Sequence, residues 1–200
     1  MLEASGLDCE RGGRTLFREL SISLESGALV RVAGPNGSGK TSLLRILCGL
    51  LLPSAGEVRW KGEPIQSLKE EYSKQLVYLG HAPAVKDELT AAENLQAACT
   101  LAGIAASSQQ RREALDRLAV PADKMVRQLS QGQRRRAALA RLALSVQVPL
   151  WLLDEPLTAL DAAAADLTKA LMRGHAERGG AVVYTTHQDA GLRDTRVIEL

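Results

Sequence analysis

Gly34-Pro35-Asn36-Gly37-Ser38-Gly39-Lys40-Thr41, followed directly by Ser42, fits the pattern G-x-x-x-x-G-K-[ST]. Glycines at this spacing let backbone N–H groups converge on phosphate oxygens, and a helix starting at the lysine adds its positive dipole end. On that reading Lys40 reaches the β- and γ-phosphates of a nucleotide and Thr41 binds Mg²⁺; an ordinary glycine-rich turn is the alternative. Farther on, the apolar run Leu150 to Leu153 ends in Asp154 and Glu155. Two acids at the mouth of a buried strand are costly unless a cation meets them. With Mg²⁺ as that cation, Asp154 holds it through water and Glu155 polarises an attacking water as general base. An acid pair favoured by a helix N-terminus is the competing reading.

These groups need a scaffold that brings a glycine-rich turn and an acid-tipped strand together. Leu29 to Ala33, apolar apart from Arg31, reads as a strand, and Leu43, Leu44, Leu47 and Leu50 follow at helical spacing until Pro53. Residues 1–33 as a whole read as short strands punctuated by Gly12-Gly13 and Ser26-Gly27. Val58 to Lys61 and Leu76 to Leu79 read as further strands, and Thr90 to Gly103, Gln109 to Ala119 and Gln133 to Ser145 as helices rich in strong helix formers. Buried strands at Leu150 to Leu153 and Ala181 to Thr185 then flank a helix over Ala162 to Arg178. Strand and helix alternate at both ends of the chain, which predicts an α/β fold: a mostly parallel sheet covered by helices, with a helical insertion in the middle.

A length of 200 residues suits one domain with an inserted subdomain. With 25 basic against 23 acidic residues the net charge is +2, which gives no reason to invoke nucleic acid, and 46% hydrophobic residues exclude global disorder. The longest apolar stretch, Ile46 to Leu52, contains a glycine and runs into Pro53, far short of the roughly 20 residues of a membrane helix. Acids occupy the opening residues where a signal peptide carries bases. Cys9, Cys48 and Cys99 are odd in number and widely spaced, which argues against a disulfide framework, a zinc site or covalent haem attachment and for a reducing cytosol.

Three further segments carry a family likeness. Leu129-Ser130-Gln131-Gly132-Gln133 resembles the signature motif of ABC-type ATPases, Thr158-Ala159-Leu160-Asp161 resembles their D-loop, and His187 occupies their switch-histidine position. Together with the glycine-rich loop and the acid-tipped strand they stand in family order and span about residues 2 to 198. The resemblance implies a P-loop ATPase core with an N-terminal antiparallel β subdomain and an inserted helical subdomain. It makes 1–200 one domain, with a core over 1–85 and 146–200 and a helical part over about 86–145. It implies ATP and Mg²⁺ as cofactors, catalytic roles for Glu155, Lys40 and His187, and metal binding by Thr41 and Asp154. It also implies two copies facing head to tail, with ATP sandwiched between the phosphate loop of one and Ser130, Gln131, Gly132 and Gln133 of the other, and with Asp161 in the D-loop. Ser130 and Gly132 could offer a hydroxyl and N–H groups to a γ-phosphate; taken alone, the segment equally reads as a helix cap.

The stretch Tyr78 to Pro83, the run Lys86 to Thr90 with Glu93-Asn94-Leu95, and Gln131 to Ala137 narrow the likeness. They resemble the ATP-binding subunit of the haem exporter used in bacterial cytochrome c maturation. That implies integral membrane subunits as partners and a peripheral place on the cytoplasmic face of the inner membrane. ATP hydrolysis would then drive haem export or release of a haem-loaded chaperone. The alternative is the ATPase subunit of another ABC transporter; a soluble ATP-gated clamp is a weaker rival, since such proteins usually carry two ATPase domains or long coiled-coil insertions.

Two departures from the general ABC pattern stand out. His81 replaces the usual glutamine after the Leu76 to Leu79 strand; imidazole is a poor Mg²⁺ ligand, so a role in coupling to the partner competes with that of a plain loop histidine. Arg11 stands before Gly12-Gly13 where the family places an aromatic adenine platform; a guanidinium can stack on a base, and a solvated surface arginine is the alternative. The basic run Arg134, Arg135, Arg136 and Arg141 has no acid nearby in sequence and reads as a partner-contact or solvated face. Cys48 reads as a small core residue and His175 as a residue of an exposed helix; no haem ligand set is visible, and direct haem binding is not expected.

Overall fold

The computed structural model describes residues 1–186, 190–192 and 195–200. Strands β1 (Leu2–Arg11) and β2 (Arg14–Leu24) form an antiparallel hairpin. Its turn is Gly12-Gly13, whose φ of 57° and 73° are what a tight two-residue hairpin requires. These strands run to 10 and 11 residues instead of the short ones expected, because register shifts between Ala4 and Glu10 bend β1 without breaking it. There follow β3 (Leu29–Ala33), α1 (Lys40–Leu47), β4 (Ala55–Trp60), β5 (Glu63–Pro64), the single turns α2 (Ile65–Leu68) and α3 (Glu70–Ser73), and β6 (Leu76–Leu79). A helical stretch comes next: α4 (Ala91–Leu101), α5 (Ser108–Arg117) and α6 (Gln131–Leu144). The chain ends with β7 (Leu150–Leu153), α7 (Ala162–Glu177), β8 (Ala181–Thr185) and β9 (Arg196–Glu199).

Helix ends follow local chemistry. Thr90 with Glu93, Ser107 with Gln110 and Ser130 with Gln133 each close a reciprocal capping box at the start of α4, α5 and α6. α1 stops at Leu47, earlier than its leucine spacing suggests, because Gly49 turns the chain at φ 76°. Leu50 is therefore outside the helix and 68% exposed, and Cys48 sits half-buried at the C-cap.

The strands form two sheets, an antiparallel one of order β2-β1-β4-β5 and a wholly parallel one of order β6-β7-β8-β3-β9. This is the expected α/β architecture, an N-terminal antiparallel layer against a helix-covered parallel sheet. Leu150 and Leu152 of β7 face one core cluster while Trp151 and Leu153 face the other, so both sides of the strand are covered. That is why β7 reads as an unbroken apolar run. Strand order also decides what can meet at the carboxyl edge. β8 lies between β7, which delivers Asp154, and β3, which delivers the glycine-rich loop, so the residue ending β8 must stand between them.

His175 departs from expectation. It lies on the inner face of α7, 1% exposed, with its ring stacked on Trp151 at 3.8 Å and 4° between planes. Gly180 makes room for it, since a Cβ there would overlap the imidazole. Burial, and secondarily the charge of Arg178, push its pKa down from 6.5 to about 4. The folded chain therefore holds His175 neutral while the unfolded chain protonates it near pH 6.5. This contribution to stability is complete above that pH and is lost progressively as pH falls from about 6.5 to about 4. Urea unfolding at pH 7.5 and 5 checks this: the parent chain should lose about 2 kcal/mol more over that interval than His175→Phe, which keeps the ring stack. Equal losses in the two chains would contradict it.

Candidate functional site

The loop after β3 is shaped by glycines where side chains cannot go. A Cβ on Gly34 (φ 142°) would come 2.5 Å from the Leu200 carbonyl oxygen, and Gly39 (φ 105°) starts α1 in a left-handed conformation. No side chain caps α1 and its first turn carries no acid, so its terminal N–H groups and dipole stay available to an anion. Lys40 is buried, and its ammonium donates to the carbonyls of Gly34 and Pro35, both at 2.8 Å. An ammonium carries three donors, so one remains for a phosphate oxygen.

Next to the lysine, Thr41 Oγ1 donates to Asp154 Oδ2 at 2.9 Å. Asp154 is 2% exposed, and its Oδ1 accepts from Thr185 Oγ1 at 2.8 Å. Thr185, fully buried at the end of β8, accepts in turn from the Glu155 N–H at 2.8 Å. Thr41 and Asp154 thus place two oxygen donors side by side. A hard cation that keeps several waters and shares the substrate's phosphates needs few protein ligands, so this pair fits Mg²⁺.

Glu155 adopts φ 50°, a left-handed conformation costly for a non-glycine residue, by about 1 kcal/mol or more. Its neighbours hold it there. Thr185 takes the N–H, and the carbonyl accepts from Arg135 Nη2 at 2.7 Å. The carboxylate accepts from Thr158 Oγ1 at 3.0 Å, with His81 Nδ1 3.8 Å away. An open cavity of about 420 Å³ brings Glu155 together with Lys40, Thr41, Ser42, Asn36, Arg11 and Leu16.

Arg135 corrects the reading of the basic run. Far from being solvated, it is 6% exposed, and its guanidinium donates to four carbonyls: Gly80 and His81 at 3.0 Å through Nη1, Asp154 at 2.8 Å and Glu155 at 2.7 Å through Nη2. Burial pulls its pKa down, partly offset by the nearby Asp154 and Glu155 carboxylates. The other arginines are engaged as well: Arg134 pairs with Asp87 at 2.9 Å, Arg136 lies 3.8 Å from Asp161, and Arg141 donates to the Tyr78 carbonyl at 3.0 Å. For Arg134 and Arg136 the fold supplies the acids missing from the neighbouring sequence, and for Arg135 and Arg141 it supplies backbone carbonyls. Arg135 and Thr185 were not among the expected site residues, although Arg135 falls four and seven positions before Leu139 and Leu142 on the buried stripe of α6. A charge on an apolar stripe is a sign of buried pairing.

The signature segment does not line that cavity. Ser130 and Gln133 cap α6 reciprocally, at 3.2 and 3.0 Å, and none of Ser130, Gln131, Gly132 or Gln133 lines the cavity holding Lys40. A Cβ on Gly132 would come 3.2 Å from the Ala159 carbonyl, so this segment abuts the loop leading to Asp161, whose Oδ1 caps α7 through the Ala164 N–H at 2.8 Å. The His81 side chain is 70% exposed. His187 lies outside the described residues.

An anion-receiving loop set against a buried aspartate at the carboxyl edge of a parallel sheet is the working arrangement of P-loop nucleoside triphosphatases. The chain belongs to the ABC transporter family, whose profile matches residues 17–158, and within it to the cytochrome c biogenesis ATP-binding export proteins. The protein of that name, CcmA, from Aromatoleum aromaticum is 55% identical over 193 residues, covering 95% of this chain and 90% of that protein. Its counterpart from Nitrosomonas europaea is 51% identical over 202 residues, covering 100% and 94%. Among solved structures, a putative ABC transporter ATP-binding protein from Pyrococcus furiosus superposes with a TM-score of 0.83 at 26% identity, covering 100% of this chain and 96% of that one. A dimeric ATP-binding cassette in a post-hydrolysis state, bound to ADP and Pi, matches with the same TM-score and identity over 100% and 94%. The chain is therefore an ABC-type ATPase.

Thr185 offers a direct check on the site. Thr185→Val keeps the shape but removes the hydroxyl that joins Asp154 Oδ1 to the Glu155 N–H. It should lower the unfolding free energy by about 1–3 kcal/mol and slow ATP turnover at least roughly tenfold. Thr185→Ser should recover most of both. Urea unfolding and steady-state ATPase assays measure them, and full activity in the valine variant would remove Thr185 from the site.

Proposed function

We propose that this chain hydrolyses ATP to power a membrane-bound complex of cytochrome c biogenesis, exporting haem or releasing a haem-loaded chaperone. One observation carries the reading: Glu155, Lys40, Thr41 and Arg11 share a single cavity, with Asp154 hydrogen-bonded to Thr41 at its edge. In that cavity residues Gly34 to Ser42 cradle the phosphates, and Lys40 places its remaining donor on the β- and γ-oxygens. Arg11 packs its guanidinium plane against the adenine. Thr41 and Asp154 are the residues that would hold Mg²⁺, which would offset negative charge on the phosphates. Glu155, held by its backbone at both ends, orients and deprotonates the attacking water.

The chain acts with a second copy of itself. Ser130 to Gln133 do not line the chain's own nucleotide cavity, while their N-terminal position on α6 suits them to meet a γ-phosphate from another copy. Dimeric cassettes among the structural relatives support this. His81, exposed beside Glu155, relays contact with integral membrane subunits, and Asp161 and His187 complete the composite site. Among the described residues no helix is long and apolar enough to cross a membrane, which agrees with a peripheral place on the cytoplasmic face of the inner membrane. In this reading residues 1–85 and 146–200 form the catalytic core, about 86–145 the helical part, and haem is handled by the partners.

Glu155→Gln separates the chemistry from the pathway. The variant should still bind Mg-ATP but hydrolyse it at least about a hundredfold more slowly, since a general base contributes roughly 10²–10⁴. Cells in which it replaces the parent chain should lack mature c-type cytochromes. Normal turnover in the assembled complex would overturn the general-base assignment. Slow turnover with normal cytochrome assembly would overturn the assignment to cytochrome c biogenesis.

A further inference from the structure

Among the residues lining the open cavity of about 420 Å³, Arg45 is the one that α1 contributes from beyond its first turn. Thr41 and Ser42 precede it by four and three positions, so the three share one face of the helix. Helical side chains lean toward the N-terminus of their helix, and a long stem leaning that way carries the Arg45 guanidinium back over the first turn. That turn holds Lys40 and Thr41, which the proposed function places on the phosphates and on Mg²⁺. Arg45 is exposed, and among the described residues no carboxylate lies within ion-pair distance of it.

Tyr78 fixes its direction. The phenol is half-buried on β6; burial raises its pKa, and a hydrogen bond from the Arg45 side chain opposes the rise. The Asp154 carboxylate acts on the same phenol, which puts the ring at the acid end of the site. Gly80 packs against it: a Cβ there would come 3.3 Å from the hydroxyl oxygen, and the Gly80 carbonyl is one of the four held by Arg135. A phenol oxygen accepts at most two hydrogen bonds, whereas a guanidinium carries five donors. At least three donors therefore remain on Arg45 for an anion in the cavity it lines.

We propose that Arg45 is a further residue of the nucleotide site, a second side-chain cation beside Lys40 that donates to a phosphate oxygen of the bound triphosphate, and that Tyr78 is the positioning residue that aims it. This rests on the reading of the cavity as the nucleotide site. Lys40 spends two of its three donors on the Gly34 and Pro35 carbonyls, so it brings one to a tail with several charged oxygens. Arg45 adds a planar fork of donors, the geometry that suits phosphate, on the same helix face as Thr41.

Competition against a fluorescent ATP analogue on the full chain tests the assignment, with ATP and inorganic triphosphate as probes, each with Mg²⁺. Arg45→Met keeps much of the apolar stem without the charge, and should weaken both probes alike, by roughly tenfold. Weakening of ATP alone would put Arg45 on the base or ribose and overturn the proposal, as would unchanged affinity for both. Tyr78→Phe keeps the ring and should weaken both probes by about threefold, and the double variant should bind no more weakly than Arg45→Met, because Tyr78 acts through Arg45. Additive losses would remove Tyr78 from that role. If Arg45→Met fails to fold, Tyr78→Phe decides: affinities equal to those of the parent chain would overturn the proposal. Lys40→Ala on the same probes separates the two readings. Unchanged affinities there would bring down the nucleotide-site reading and this inference with it, whereas a loss there beside parent affinities in Arg45→Met would overturn this inference alone.

Discussion

Four backbone carbonyls, those of Gly80, His81, Asp154 and Glu155, converge on the guanidinium of Arg135 at 2.7–3.0 Å. They follow directly on two neighbouring parallel strands, β6 and β7, past the last ladder pair Leu79–Leu153, where the sheet supplies no further N–H to meet them. Left alone, these oxygens would repel one another and force the loops apart. A planar, permanently charged group with five donors suits this edge better than a lysine ammonium. It ties the His81 loop and the Asp154-Glu155 segment into one unit, and the left-handed backbone of Glu155 is tolerable because that unit over-determines it.

The strand order β7-β8-β3 does the rest. β8 stands between the strand bearing the carboxylates and the strand bearing the glycine-rich loop, so a single hydroxyl at its end, that of Thr185, fixes both the Asp154 carboxylate and the Glu155 backbone. Asp154 in turn holds Thr41 at the start of α1. From α6 through β7 and β8 to α1 the chain of contacts is continuous, and its buried links, Arg135, Asp154 and Thr185, each have a named partner. The low local dielectric that makes such links strong also makes the loss of one partner expensive.

Legibility in the sequence divided along physical lines. The glycine-rich loop stands out in the sequence because receiving an anion takes contiguous residues, and Asp154 and Glu155 because two acids ending an apolar run call for an explanation. The parallel sheet followed from alternating strands and helices. Arg135 was not readable in the same way: its partners are backbone carbonyls 19 to 55 residues away, and a carbonyl leaves no trace in residue type. His175 is polar, yet its spacing on α7 puts it on the buried face. Ala164, Thr168, Met172 and His175 recur at helical intervals and are all buried, so the stripe was present with two polar members. The end of α1 was misjudged where a left-handed glycine at position 49 outranked continued leucine spacing.

The claim that the Arg135 fork positions Glu155 is tested most directly by the kinetics of Arg135→Lys, which keeps the charge but cannot reach four carbonyls at once. On the proposed function, nucleotide affinity comes from the glycine-rich loop, Lys40 and Arg11, none of which has a hydrogen bond to Arg135. The dissociation constant for Mg-ATP should therefore stay within about threefold of the parent value, while the hydrolysis rate at saturating ATP falls at least roughly tenfold. Turnover equal to that of the parent chain, or a loss of ATP affinity as large as the loss of rate, would contradict the account.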